Sequence, residues 1–383
     1  MDKPTVQDIF HRFYPAYLDK YSPSPVQAKV AHNIMNCKTG AYGANVCVCE
    51  DCGFVQIHYN SCRNRCCPMC QAVPKEMWMD ARREDVLDAP YFHLIFTVPD
   101  ILNPVIYSNQ RLLYDALYHA ASSTISELTA DPKHLGAKVG YICILHTWGS
   151  EMNFHPHIHT ILLGGGLASN NQWKDNGENF FLPIRVISKV FRGKYLEELK
   201  RLWEEDKLVF HGTAEKFRNH YTFKELLDSC YGMDWIPHCK KTFNGAQTVI
   251  KYLGKYTHRI AVSNHRIVRM DDDTVTFLVK DYRNEGQWKE LTISGVEFVR
   301  RFLMHVPPRR FVRIRHYGLL CSRTKSQKLT LCRNLLGCKK YLSKLRDMEM
   351  PEILEHLYGI KVCVCKACGG HLGKPQMRMP LRC

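Results

Sequence analysis

The sequence has no apolar run approaching the eighteen or so residues that a membrane-spanning helix requires. Its opening, MDKPTVQDIFHRFYPAYLDK, is amphipathic and lacks the hydrophobic stretch of a secretory signal. No internal repeat or low-complexity linker stands out. These absences exclude a membrane protein and predict a soluble, cytoplasmic chain. Acidic residues are also short: 37 Asp and Glu stand against 53 Lys and Arg, leaving a net charge of +16. An excess of one sign on this scale predicts a polyanionic partner, nucleic acid above all. With 383 residues, of which 45% are hydrophobic and 11% aromatic, the chain is long enough for two or three folded domains.

The eighteen cysteines, without a secretory signal, argue for metal binding or reactive thiols rather than disulfides. Eight fall between Cys37 and Cys70. Cys49-x-x-Cys52 and Cys67-x-x-Cys70 are two turns, with fourteen residues between them. Each aims two thiolates at one point, so the pair predicts a four-cysteine zinc site. The interleaved Cys37, Cys47, Cys62 and Cys66 are candidates for a second zinc, with His58 or His32 as replacements for one of them. Near the C-terminus, Cys365-x-x-Cys368 is half of another site. Its partners are open among Cys363, His371, Cys383, or Cys332 with Cys338.

Between these clusters lies NFHPHIHTILLGGG, residues 153–166. Alternate residues of a strand share a face about 6–7 Å apart, so His155, His157 and His159 point the same way. The outer two are about 13 Å apart and cannot share an ion. His157 and His159 can, and His146 on the preceding strand, AKVGYICILHTWG, offers the third ligand. Such a three-histidine site keeps room for a substrate oxygen. In TVIKYLGKYTHR, helical spacing puts Tyr252 and Tyr256 on one face. Lys251, Lys255, His258 and Arg259 crowd around them, an odd setting for a packed aromatic stripe and an apt one for phosphate. A tyrosine attacking a DNA phosphate conserves the bond energy as phosphotyrosine. In PPRRFVRIRHYG, a strand puts Arg309, Arg313 and Arg315 in a row suited to backbone phosphates. The order of strands and helices predicts an α+β fold with an antiparallel sheet and flanking helices.

In order along the chain, SCRNRCCPMCQ, YFHLIFTVP, LHTWG, HPHIHTILLGGG, YLGKYTHRIAVSNHRI, HVPPRRFVRIRHYGLL and CKACGG resemble the rolling-circle transposases of the insertion-sequence-91 type. These are two-tyrosine members of the HUH (His–hydrophobic–His) endonuclease superfamily. The resemblance covers nearly the whole chain. It implies an HUH-type core behind an N-terminal zinc-binding domain, with nicking and joining of single-stranded DNA at insertion-sequence ends through a 5′-phosphotyrosine. His157 and His159 fall on the motif histidines and Tyr252 and Tyr256 on the tyrosine pair. His146 is placed like the third ligand of conjugative relaxases in the superfamily. The implied cofactors are Mg2+ or Mn2+ for catalysis and structural Zn2+. The implied partners are single-stranded or hairpin ends of the chain's own mobile element, together with host replication proteins, in a bacterial cytoplasm at the nucleoid. The chain departs from the pattern at Cys66 and Asn45, where members commonly carry histidine.

The expected division is a helical and zinc-binding domain over 1–88, a catalytic domain over 89–325, and a helical region with a Cys-x-x-Cys tail over 326–383. The rival readings are a plasmid replication initiator or relaxase of the same chemistry, and a non-catalytic zinc DNA-binding regulator.

Overall fold

The computed structural model describes residues 3–176, 180, 182–235, 237–243, 249, 254, 260–281 and 285–378. Helices α1 (Val6–Leu18) and α2 (Pro25–Met35) open the chain. Each begins with a reciprocal cap, Thr5 with Asp8 and Ser24 with Gln27, which satisfies backbone N–H groups that a helix start leaves bare. A hairpin of β1 (Ala44–Val48) and β2 (Val55–Tyr59) follows, then α3 (Ala72–Arg83). The middle of the chain runs β3 (Tyr91–Thr97), α4 (Asn103–Ser108), α5 (Gln110–Ala130), β4 (Lys138–Trp148), β5 (Phe154–Leu167), β6 (Trp173–Asp175), α6 (Ile184–Glu204), α7 (His220–Gly232) and β7 (His238–Phe243). The last third holds β8 (Ile267–Met270), β9 (Thr274–Asp281), β10 (Gln287–Ser294), α8 (Gly295–Met304), β11 (Ile314–Gly318), α9 (Lys325–Leu336), α10 (Met350–Tyr358) and β12 (Gln376–Arg378). The mixture of helices with antiparallel sheets is the α+β architecture that the element order predicts. No described helix is long and apolar enough to cross a membrane.

The central sheet has the order β11-β4-β5-β3-β7, with β6 paired to the end of β5. Its strands read as nearly continuous apolar runs because both faces are covered. One face, with Phe92, Phe96, Tyr141, Leu145 and Ile158, packs against α5 and α6 through Leu117, Tyr118, Phe191 and Tyr195. The other carries Ile142, Ile144, Ile161 and Leu163, covered by Leu87, Leu319, Leu329 and Val249. Val249 and Gly254 are both helical and lie in GAQTVIKYLGKYTHRIAV, the segment 245–262 that reads as a helix, whereas its described end, residues 260–262, is not helical. Gly254 packs flush on Met79 of α3, where an added Cβ would collide. Three glycines end the histidine strand for a steric reason: Cβ atoms at Gly164, Gly165 and Gly166 would meet the carbonyls of Pro90, Lys174 and Lys138.

A second core joins distant parts of the chain. Phe10, Phe13 and Ile34 of the first two helices pack with Val275 and Phe277 of β9 and with Phe298 and Phe302 of α8. The expected boundary at residue 88 therefore does not separate the cores, because the N-terminal helices bury their apolar faces against residues 260–306. Phe302 is fully buried and meets Phe10 edge-on, ring centroids 5.3 Å apart. Phe302→Ala is expected to cost about 3–5 kcal/mol. Denaturant unfolding checks this; a loss under about 1 kcal/mol would show that the joint does not anchor the N-terminal helices.

A third unit is a small sheet in the order β12-β1-β2. Here the tail of the chain adds a strand to the N-terminal hairpin, pairing Ala44 with Arg378 and Val46 with Gln376.

Candidate metal and nucleic-acid site

Register decides the histidine site. Antiparallel pairing of β4 with β5 sets His146 opposite His157 and Ile144 opposite His159. All three histidines therefore share the face of Ile142 and Ile161. They are 3%, 7% and 6% exposed, and their ligand atoms all lie within 4.8 Å of one another. The Nε2 atoms of His157 and His159 are 2.9 Å apart. The His155 carbonyl accepts from Nδ1–H of His157 at 2.7 Å, which leaves Nε2 of His157 as a lone-pair donor. Burial pushes the pKa of His157 down to about 3 and that of His159 well below its ordinary value. Neutral imidazoles whose ring nitrogens converge in a buried pocket are the donor set that a divalent cation takes. His155 lies at the start of β5, beyond its last pairing with β3, and its Nδ1 is 3.2 Å from an Asp100 carboxylate oxygen.

His93 is the residue that sequence reading missed. On β3 it lies opposite Ile161, on the same face, and its Nε2 is 2.8 Å from Nδ1 of His159. With His159 donating Nδ1–H to His93, Nε2 of His159 is presented to the pocket, the arrangement by which outer residues orient metal-ligating histidines. The signal was one polar residue in the apolar strand YFHLIFTVP. His93→Ala is expected to weaken the affinity of this pocket for a divalent ion by about 10- to 100-fold. Calorimetric titration with Mn2+ checks this; unchanged affinity would remove His93 from the site.

The expected arginine row does not form. Arg309 is exposed. Arg313 is 8% exposed and lies over the Trp148 ring at 5.4 Å, while Trp148 stacks on His146 with centroids 4.6 Å apart. Arg315 lies on the opposite face, 4.0 Å above the Tyr118 ring and ion-paired with Asp115. The strand starts only at Ile314, so the alternation assumed from Arg309 onward has no strand to run on. Tyr252, Tyr256, Lys251, Lys255 and Arg259 lie outside the described residues.

The cysteines also assort differently from the sequence expectation. The groups brought together are Cys37, Cys62, Cys67 and Cys70, and separately Cys49, Cys52, Cys365 and Cys368. The expected set of Cys49, Cys52, Cys67 and Cys70 fails because of the hairpin. Cys49 and Cys52 sit at its turn, whereas the loop carrying Cys62, Cys67 and Cys70 leaves the far end of β2, about 17 Å away for a five-residue strand. Cys37 reaches that far end from the end of α2. Cys47 and Cys66 belong to neither group among the described residues. Cys47 is buried against Cys365 and Leu372, and Cys66 beside Arg65 and Arg313.

Residues 140–328 match a family profile described as "Putative transposase", and residues 9–98 match a "Transposase zinc-binding domain". The chain is 39% identical over 369 residues to "Putative transposase y4qJ" of Sinorhizobium fredii, covering 95% of this chain and 93% of that protein. It is 30% identical over 309 residues to the "Transposase for insertion sequence element IS801" of Pseudomonas savastanoi pv. phaseolicola, covering 79% of this chain and 72% of that one. Among solved structures it resembles the conjugative relaxase TrwC in complex with OriT DNA, in metal-free form, at 13% identity and a TM-score of 0.25, over 43% of this chain and 71% of that one. The metal-bound TrwC complex matches at 14% identity, also with a TM-score of 0.25, over 43% and 70%. The two relatives and the two matched profiles agree with the motif order, and the chain belongs to the insertion-sequence-91 family of rolling-circle transposases.

Proposed function

We propose that this transposase nicks and rejoins single-stranded DNA at the ends of its element through a 5′-phosphotyrosine on Tyr252 or Tyr256. The observation that carries the reading is the convergence of His146, His157 and His159 in one buried pocket. A divalent ion held by these three, Mg2+ or Mn2+, would neutralise charge on the scissile phosphate. The phenolic oxygen of a tyrosine bonds to phosphorus as the bond to the 3′ oxygen breaks. This leaves a 3′-hydroxyl and a 5′ end on the enzyme, which the second tyrosine or a new 3′-hydroxyl resolves. His157 and His159 stay neutral through burial and hold their ring nitrogens inward; His93 fixes the orientation of His159. Val249, three residues before Tyr252 in the sequence, is buried against Ile142, Ile144, Ile161 and Leu163 on the sheet face that carries the histidines.

Cys37, Cys62, Cys67 and Cys70 suit a structural zinc by number, chemistry and proximity, in keeping with the matched zinc-binding domain. In this reading the cysteine-rich region recognises the element's single-stranded or hairpin ends. The net charge of +16, with Lys251, Lys255, Arg259 and Arg309, draws in the phosphate backbone. The site of action is the bacterial nucleoid, alongside host replication proteins. Incubation with labelled single-stranded oligonucleotide in Mg2+ or Mn2+ is expected to yield a covalent adduct stable to denaturation. Binding without any adduct would favour a non-catalytic regulator and overturn the proposal.

A further inference from the structure

We infer that Cys49, Cys52, Cys365 and Cys368 form a single zinc site that fastens the C-terminal tail to the N-terminal hairpin. Cys365 and Cys368 lie outside the matched zinc-binding domain, 313 and 319 residues along the chain from the thiols they meet. The two Cys-x-x-Cys turns are built alike. In CEDCGF the Gly53 N–H donates to the Cys49 carbonyl at 3.0 Å, and the Cys49 N–H to that of Phe54 at 2.9 Å. In CKACGG the Gly369 N–H donates to the Cys365 carbonyl at 2.9 Å, and the Cys365 N–H to that of Gly370 at 2.8 Å. Gly53 and Gly369 both take left-handed backbone, φ 71° and 78°, which closes each turn where another residue would be strained. In the tail turn, the backbone N–H groups of Ala367 and Gly370 lie 3.4 Å from the sulfurs of Cys365 and Cys368 and favour the thiolate form.

The two turns face each other. Cys49 Sγ is 3.5 Å from Cys368 Sγ, and Cys52 Sγ is 3.8 Å from Cys365 Sγ. A disulfide needs about 2.05 Å. A tetrahedron with arms of about 2.3 Å has edges of about 3.8 Å, which is the spacing of sulfurs around zinc. The backbone brings the turns into place independently of the thiols: Glu50 N–H donates to the His371 carbonyl at 3.0 Å, and Gly373 N–H to that of Val48 at 2.9 Å. Beneath the thiols, among the described residues, only Cys47 and Leu372 join Cys49 and Cys365 as a buried cluster, too small to hold the unit together without a metal. Binding releases the thiol protons as four thiolates close on one Zn2+.

The site is independent of the nicking chemistry, and zinc content reads it directly. In the full-length protein, the double variant Cys365→Ser/Cys368→Ser is expected to lose one zinc per chain. Cys49→Ser/Cys52→Ser should lose the same one, and the quadruple variant no more. A tail variant with full zinc content, or a quadruple variant that loses two, would overturn the shared site. Alkylation of the unmutated protein avoids any dependence on variant folding. Cys52 and Cys368 are exposed, yet they should resist labelling until chelator is added, then become labelled together with Cys49 and Cys365. Labelling of Cys368 without chelator would equally refute the inference.

Discussion

Replacing Tyr252 and Tyr256 together by phenylalanine is expected to abolish the covalent DNA adduct and lower nicking by about four orders of magnitude or more. Losses of that order follow when a nucleophile is removed and only binding and electrostatic stabilisation remain. Phenylalanine keeps the ring and deletes only the attacking oxygen, so packing and DNA affinity should survive. Each single variant should retain an adduct on the remaining tyrosine. Gel analysis of the denatured protein–oligonucleotide product checks all three proteins. An adduct that persists at its original level in the double variant would move the nucleophile elsewhere, most simply to another of the nineteen tyrosines.

The second large effect concerns the histidines. His157→Ala or His159→Ala is expected to cut metal-dependent nicking by about 10²- to 10⁴-fold, the several kcal/mol that a cation contributes to a charged phosphoryl transition state. Binding of single-stranded DNA should change little. It rests on cation–phosphate contacts, each contributing about 0.7 to the dependence of log affinity on log salt. The same salt slope in variant and parent would place the loss in chemistry. Equal loss of binding and nicking in a protein that stays folded would make these histidines part of the DNA-binding surface instead.

Legibility in the sequence followed how local each signal was. The histidine pair was readable because period-two alternation puts His157 and His159 on one face. His146 was reachable because a short hairpin limits the choice of opposing residues. His93 was not, because its placement depends on the pairing of β3 with β5, strands separated by the whole of α5 and β4. The cysteines show the same limit. Spacing identifies Cys49-x-x-Cys52 as half of a site, but it cannot show that a hairpin's length separates that half from Cys67-x-x-Cys70. Nor does any local rule bring residue 365 to residue 52. The arginines misled for another reason: period two was applied to Arg309 and Arg313, which precede the strand, and burial then took Arg313 into the protein.

The β1 strand has a consequence for the order in which the molecule is made. Its neighbour β2 leaves the ribosome almost with it, but β12 emerges only after all the other described strands and helices. At about 5–20 residues per second, the 319 residues from Cys49 to Cys368 take roughly 15–60 s to synthesise. Throughout that interval β1 presents an open edge, the kind of strand margin that recruits other chains. Val48, Val55, Ile57 and Tyr59 lie exposed beside it even in the finished fold. The central sheet, by contrast, has all its strands by Gly318 and can close before synthesis ends. Among the described sheets the ribbon is therefore the last to be completed, and until then the nascent chain is open to misassociation at its β1–β2 hairpin.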